Sequence, residues 1–305
     1  MKTAFIFPGQ GAQYAGMGQD FYENFPESKA IFDQAQEILG LDMKKLIFTE
    51  NDKLNITEYT QAAMITTIAA MLVVIKSRNI PVSMCAGLSL GEYAALIMSE
   101  AIDPMDAIRL VRKRGIYMQE AVPTGKGMMA AVLGMDNEAV EDICQKTLGI
   151  VTVANYNCPG QVVISGECDA VKKAMEHLNN QGAKRVLPLN VSGPFHSPLL
   201  IEAGEKLRGE LKQITFKNPK IAYVANTTAE FITNKEPIPE LLAKQVYSSV
   251  RWQQSVEAMI AEGVEAFVEI GPGKTLSSFV KKIDRSKLVI NIDKVSDLKQ
   301  LEQLT

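Results

Sequence analysis

Histidine is almost missing from this chain: His177 and His196 are the only two among 305 residues. Any step that needs an imidazole base must use one of them. Metal-type cysteine spacing is missing as well. Cys85, Cys144, Cys158 and Cys168 form no C-x-x-C pair and have no histidine at ligand spacing, so no metal is expected. Four cysteines over this length read as reduced thiols, not as a disulfide framework. There is no surplus of one charge: 32 Lys+Arg stand against 35 Asp+Glu, for a net charge of −3. That argues against a nucleic-acid partner. The most apolar stretch, Ala62 to Ile75, is shorter than a bilayer span and contains Thr66 and Thr67, so it reads as a buried helix. The apolar start, Phe5-Ile6-Phe7, closes on Pro8-Gly9 and is too short for a signal peptide. The expectation is a cytoplasmic protein with no membrane partner.

What is present is an α/β rhythm. Thr3 to Phe7 reads as a buried strand, with helical patterns from about Met17 to Leu39 and from Thr57 to about Ser77. Ser83 to Leu88 reads as a second strand, and Asp103-Pro104 starts a helix running to about Glu120. Pro123-Thr124-Gly125-Lys126-Gly127 reads as a linker. The rhythm then becomes βαββαβ: strands at 128–133, 150–154, 161–165 and 183–187, helices at 136–146 and 169–180. This is the order of a ferredoxin-like unit, assigned to residues 126–193 as a small inserted domain. Residues 1–125 and 194–305 form the large domain, where alternating strands and helices imply a largely parallel sheet covered on both faces.

Two glycine patterns fail. Gly9-Gln10-Gly11 lacks the third glycine of a dinucleotide fingerprint, since Tyr14 stands there. Gly273-Lys274-Thr275 lacks the earlier glycine of a phosphate loop, since Val268 stands there. A third pattern holds. Gly87-Leu88-Ser89-Leu90-Gly91 is a G-x-S-x-G run between an apolar strand and a helix, the setting of a nucleophile elbow. With Gly and Ser each near 7% of residues, chance alone yields the pattern in roughly one protein in ten of this size, so context carries the assignment. The bland alternative for Ser89 is a helix cap in a tight turn.

A serine nucleophile needs a base. His177 lies beside Lys173 on the polar side of a helix and reads as a solvated residue. His196 lies in Gly193-Pro194-Phe195-His196-Ser197-Pro198, a loop where the chain leaves the small domain, and is the candidate base. Backbone N–H groups would hold the oxyanion: Leu90 as the residue after the nucleophile, and Gln10 on a loop after the first strand. Arg114 is out of place for its charge. Its helical neighbours Leu110, Val111, Tyr117 and Met118 put it on an apolar stripe, and a buried arginine needs an anion. Two partners fit equally: a core carboxylate such as Glu92, or a substrate carboxylate held by the guanidinium fork.

The residues carry a resemblance over nearly the whole chain. It includes Phe7-Pro8-Gly9-Gln10-Gly11, the elbow with Glu92, Arg114-Gly115 and Met118 to Pro123. It continues through Asn157-Cys158-Pro159-Gly160-Gln161, the His196 loop, Gln245 and Glu269 to Lys274. In these the chain resembles the malonyl-CoA:acyl carrier protein transacylases of bacterial fatty acid synthesis. The resemblance implies an α/β-hydrolase-like core with the ferredoxin-like insertion, and a Ser89–His196 dyad steered by the Gln245 backbone carbonyl. It implies oxyanion contacts from Gln10 and Leu90, and Arg114 as the binder of a malonyl carboxylate. Phe195 resembles the residue that crowds out an α-methyl branch, which favours malonyl over methylmalonyl. The implied partners are malonyl-CoA and acyl carrier protein, with no cofactor held by this chain and a monomeric state. One departure stands out: Leu88 occupies the place before the nucleophile where the family usually has histidine. The competing functions are a serine esterase or thioesterase on the same elbow, a carrier-protein docking module without catalysis, and an acyltransferase serving a polyketide pathway.

Overall fold

The computed structural model describes residues 1–123, 125–191 and 193–304. Thr124 of the expected linker and Ser192 at the end of the expected small domain lie outside the described residues. The chain starts with β1 (Thr3–Phe7), then α1 (Gln19–Asn24), α2 (Pro26–Leu39), α3 (Met43–Phe48) and α4 (Thr57–Lys76). β2 (Met84–Gly87), α5 (Gly91–Met98) and α6 (Pro104–Glu120) complete the first part. A second part follows: β3 (Gly127–Leu133), α7 (Asn137–Lys146), β4 (Val151–Cys158), β5 (Gln161–Glu167), α8 (Cys168–Asn180) and β6 (Arg185–Pro188). The third part is α9 (Ile201–Leu211), β7 (Ala222–Val224), β8 (Phe231–Ile232), α10 (Ile238–Gln245), α11 (Trp252–Ala261), β9 (Ala266–Ile270), α12 (Thr275–Ile283) and β10 (Leu288–Ile292).

The first and third parts build one six-stranded sheet, ordered β10-β9-β1-β2-β7-β8. All neighbours pair parallel except β8, which closes one edge antiparallel to β7. Both faces are covered, as the strand sequences require. Side chains alternate faces along a strand. Phe5 and Phe7 of β1 join the larger core cluster while Ala4 and Ile6 join the one opposite. Cys85 likewise faces one way, and Met84 and Ala86 the other. Such strands are buried at every position, not at alternate ones.

Two elements differ clearly from the sequence reading. The pattern expected as helical over 17–39 is two helices broken at Phe25-Pro26, because proline can open a helix but not continue one. α4 instead matches the expected helix from Thr57 to about Ser77. Its 20 residues pass the length and hydropathy test for a membrane span, yet most of them are buried inside the fold. β4 runs to Cys158, beyond the expected end at 154, because its second half pairs with β5 and with Val250.

The second part forms a separate antiparallel sheet, ordered β4-β5-β3-β6, with its own apolar cluster beneath α7 and α8. It is stitched to the large layer through backbone: Tyr156 N–H donates to the Val250 carbonyl at 2.9 Å, and Val250 N–H to the Ala154 carbonyl at 2.8 Å. The groove between the two layers holds the candidate site.

Candidate active site

The site forms at the carboxyl ends of β1, β2 and β7, the usual ligand position in open parallel sheets. β2 ends at Gly87 and α5 begins at Gly91, so Ser89 sits in the intervening turn. Its φ is 52°, a left-handed conformation that a non-glycine residue holds at a cost of about 1–3 kcal/mol. The flanking glycines let the turn close: a Cβ on Gly87 would overlap the Gly91 carbonyl, and one on Gly91 the Phe7 carbonyl. Asn226, just beyond β7, clamps the turn. Its Oδ1 accepts the Ser89 N–H at 2.6 Å, and its Nδ2 donates to the Gly87 carbonyl at 2.7 Å.

The structure brings His196 to this serine. His196 Nε2 lies 2.8 Å from Ser89 Oγ, and Nδ1 lies 2.7 Å from the Gln245 carbonyl oxygen. A carbonyl only accepts, so Nδ1 carries the hydrogen and Nε2 offers its lone pair to the hydroxyl. Burial of the ring, with the Arg114 charge as second cause, pushes the His196 pKa down to about 4. The imidazole is therefore neutral at neutral pH. His196 is also held at a left-handed φ, 57°. His177 is exposed on α8, over the antiparallel sheet, and takes no part in this constellation.

Arg114 reaches the serine from α6 and is 1% exposed. It donates from Nη1 to Gln61 Oε1 at 2.8 Å, and from Nη2 to Gln245 Oε1 at 2.9 Å and to Ser89 Oγ at 3.2 Å. All three acceptors are neutral. Among the described residues no carboxylate forms an ion pair with Arg114. Glu92, the core carboxylate considered as its partner, accepts instead from Gln245 Nε2 at 2.7 Å and from the Asn226 N–H at 3.3 Å. The Gln245 amide thus stands between the two charges. The guanidinium is bonded only to neutral oxygens and its Nε has no hydrogen-bond partner among the described residues, so it has capacity to hold an anion beside Ser89.

A cavity of about 690 Å³ opens over these groups, walled in part by Gln10, Leu88, Met118 and Phe195. The Gln10 amide side chain is anchored on Thr57 Oγ1 at 3.2 Å. The Leu90 side chain is buried in the core, so only its backbone can serve the site. Among the described residues neither the Gln10 nor the Leu90 N–H donates to a backbone carbonyl. Phe195, 7% exposed, lies directly before His196 and walls the same cavity. Leu88 packs against the second face of the sheet and brings no proton-transfer group.

Sequence reasoning missed Gln61, Asn226 and the Gln245 side chain. Gln61 carried a signal, a long polar side chain directly before the apolar stretch Ala62 to Ile75, and the structure buries it fully. Asn226 carried a weaker one, a polar residue just past a strand end in a parallel sheet.

Comparison with known proteins agrees with this geometry. The family described as "Acyl transferase domain" matches residues 4–301. The malonyl CoA-acyl carrier protein transacylase of Bacillus subtilis (strain 168) is 46% identical over 288 residues, covering 93% of this chain and 91% of that protein. The crystal structure of malonyl CoA-acyl carrier protein transacylase from Clostridium perfringens superposes with a TM-score of 0.96 at 46% identity, covering 100% of this chain and 97% of the other. A malonyl-transacylase solved in complex with a type II PKS acyl-carrier protein superposes with a TM-score of 0.97 at 38% identity, covering 100% of both chains. The shared architecture is a mixed α/β fold with a parallel sheet and a separate antiparallel sheet.

Proposed function

The chain belongs to the acyl transferase domain family, and on that premise we propose that Ser89 carries a malonyl group from malonyl-CoA to the phosphopantetheine thiol of acyl carrier protein. The observation that carries the acyl group's identity is Arg114: a buried cation, unpaired by any described carboxylate, 3.2 Å from Ser89 Oγ. Its fork would take the malonyl carboxylate in two parallel hydrogen bonds and set the thioester carbonyl against the serine.

In the first half-reaction His196 Nε2 removes the Ser89 proton as Oγ bonds to the thioester carbon. The carbonyl electrons move to oxygen, and the N–H groups of Gln10 and Leu90 hold that charge. One such donor is worth about 3 kcal/mol. The Gln245 carbonyl stabilises the imidazolium through Nδ1–H. The C–S bond then breaks, and CoA leaves as the thiol with the proton from Nε2. The second half-reaction runs the same steps in reverse with the carrier thiol, which gives its proton to Nε2 and takes the malonyl group from Ser89. Phe195 narrows the space around the α-carbon, favouring the unbranched acyl group.

In the finer fold reading, the six-stranded layer of residues 1–125 and 194–305 is an α/β-hydrolase-like core. Residues 126–193 are a ferredoxin-like insertion, supported by the order βαββαβ and the sheet order β4-β5-β3-β6.

Intact-mass measurement tests the function. Wild type mixed with malonyl-CoA should gain one malonyl adduct, and holo acyl carrier protein should then remove it and gain it. Ser89→Ala should gain none. Free malonate without transfer would establish a hydrolase instead, and an adduct persisting in Ser89→Ala would remove Ser89 from the mechanism.

A further inference from the structure

We propose that Glu92 is a positioning residue: its carboxylate anchors the Gln245 amide where it serves Arg114 and Ser89 together. The inference rests on the malonyl-transfer reading above. An amide has an acceptor end and a donor end, and here both ends are used. Oε1 accepts from Arg114 at 2.9 Å. Nε2 donates to the Ser89 carbonyl at 2.8 Å and to Glu92 Oε2 at 2.7 Å. A flipped amide would set its NH2 group against the guanidinium and its oxygen against two acceptors. Arg114 only donates and the Ser89 carbonyl only accepts, so these two make the flip costly, and Glu92 anchors the same amide by accepting from Nε2.

The same Glu92 oxygen accepts the Asn226 N–H at 3.3 Å, and Asn226 is the residue that clamps the strained elbow. One buried carboxylate thus ties together the residue that orients the base, the residue that shapes the nucleophile turn and the acceptor of the substrate-binding arginine. Glu92 does not line the cavity and is 1% exposed, so it acts through Gln245 and Asn226, not on the acyl group. Burying a carboxylate away from a cation is expensive, and an apolar residue would serve packing better. Burial raises the Glu92 pKa to about 7. Either protonation state leaves an oxygen to accept from Gln245, which makes hydrogen-bond reach, not charge, the property that matters.

Two variants separate those properties. Glu92→Gln keeps the reach and removes the charge; Glu92→Asp keeps the charge and shortens the reach. Single-turnover acylation is followed with malonyl-CoA and with an uncharged acyl-CoA, with thermal unfolding alongside. The expected result is kcat/KM within about threefold of wild type for Glu92→Gln. For Glu92→Asp a loss of about tenfold or more is expected, because small displacements of a positioned group are costly. The loss should fall mainly on KM for malonyl-CoA and less on the uncharged group. If the aspartate variant does not fold, the apolar isostere Glu92→Met takes its place with the same expectation. The inference is overturned if both variants match wild type, if the aspartate variant is the more active, or if both acyl groups lose equally. Failure of wild type to take malonyl would strike the function itself and is read in the same assay.

Discussion

His196 is a weak base kept unprotonated by its surroundings. Removing the ring from water disfavours the imidazolium, and the nearby Arg114 charge disfavours it further, so the pKa falls from 6.5 to about 4. Because the folded-state value is lowered, acidification does not protonate the base until well below the usual histidine range. The expected outcome is a kcat/KM for Ser89 acylation that stays nearly level from about pH 8 to about pH 5, since this parameter reports free-enzyme ionisations. A half-fall near pH 6.5 in stopped-flow acylation would show the ring to be solvated. Arg114 has its own test at this scale. Arg114→Ala should lower malonyl transfer by about a hundredfold or more, the scale of losing a charge-assisted pair, while uncharged acyl groups lose far less. Equal loss for both in competition assays would make the residue structural.

At the scale of elements, the elbow depends on close approach. Gly91 opens α5 where a Cβ would overlap the Phe7 carbonyl of β1. Gly91→Ala should therefore force β1 and α5 apart, at about 1–3 kcal/mol for overpacking. It should also displace Ser89 from His196. Thermal unfolding should show a lowered Tm and single-turnover acylation a reduced rate; an unchanged Tm would mean that the turn has slack. Much at this scale was legible in the sequence. The strand-turn-helix context of Ser89 follows from apolar runs and glycines that act locally. Asp103-Pro104 starts α6 as expected, with Asp103 capping the Met105 and Asp106 N–H groups. The extra length of β4 was not legible, because its later residues pair with Val250, almost a hundred positions away.

For the whole molecule, two layers with separate cores meet at one groove. Ser89 and Arg114 come from the first part of the chain, and His196 and Gln245 from beyond the antiparallel sheet. By itself the sequence determined the chemistry on offer: a serine on a glycine elbow, a single loop imidazole and an arginine on an apolar stripe. These are properties of residue type and short spacing, and local sterics and periodicity enforce them. It left open whether Arg114 pairs with Glu92, and only the tertiary structure decided that it does not. Arg114 and Gln245 are 131 positions apart. Packing of α6 and α10 around the elbow sets the Gln245 amide between arginine and carboxylate, and no local pattern encodes a hydrogen bond across that separation.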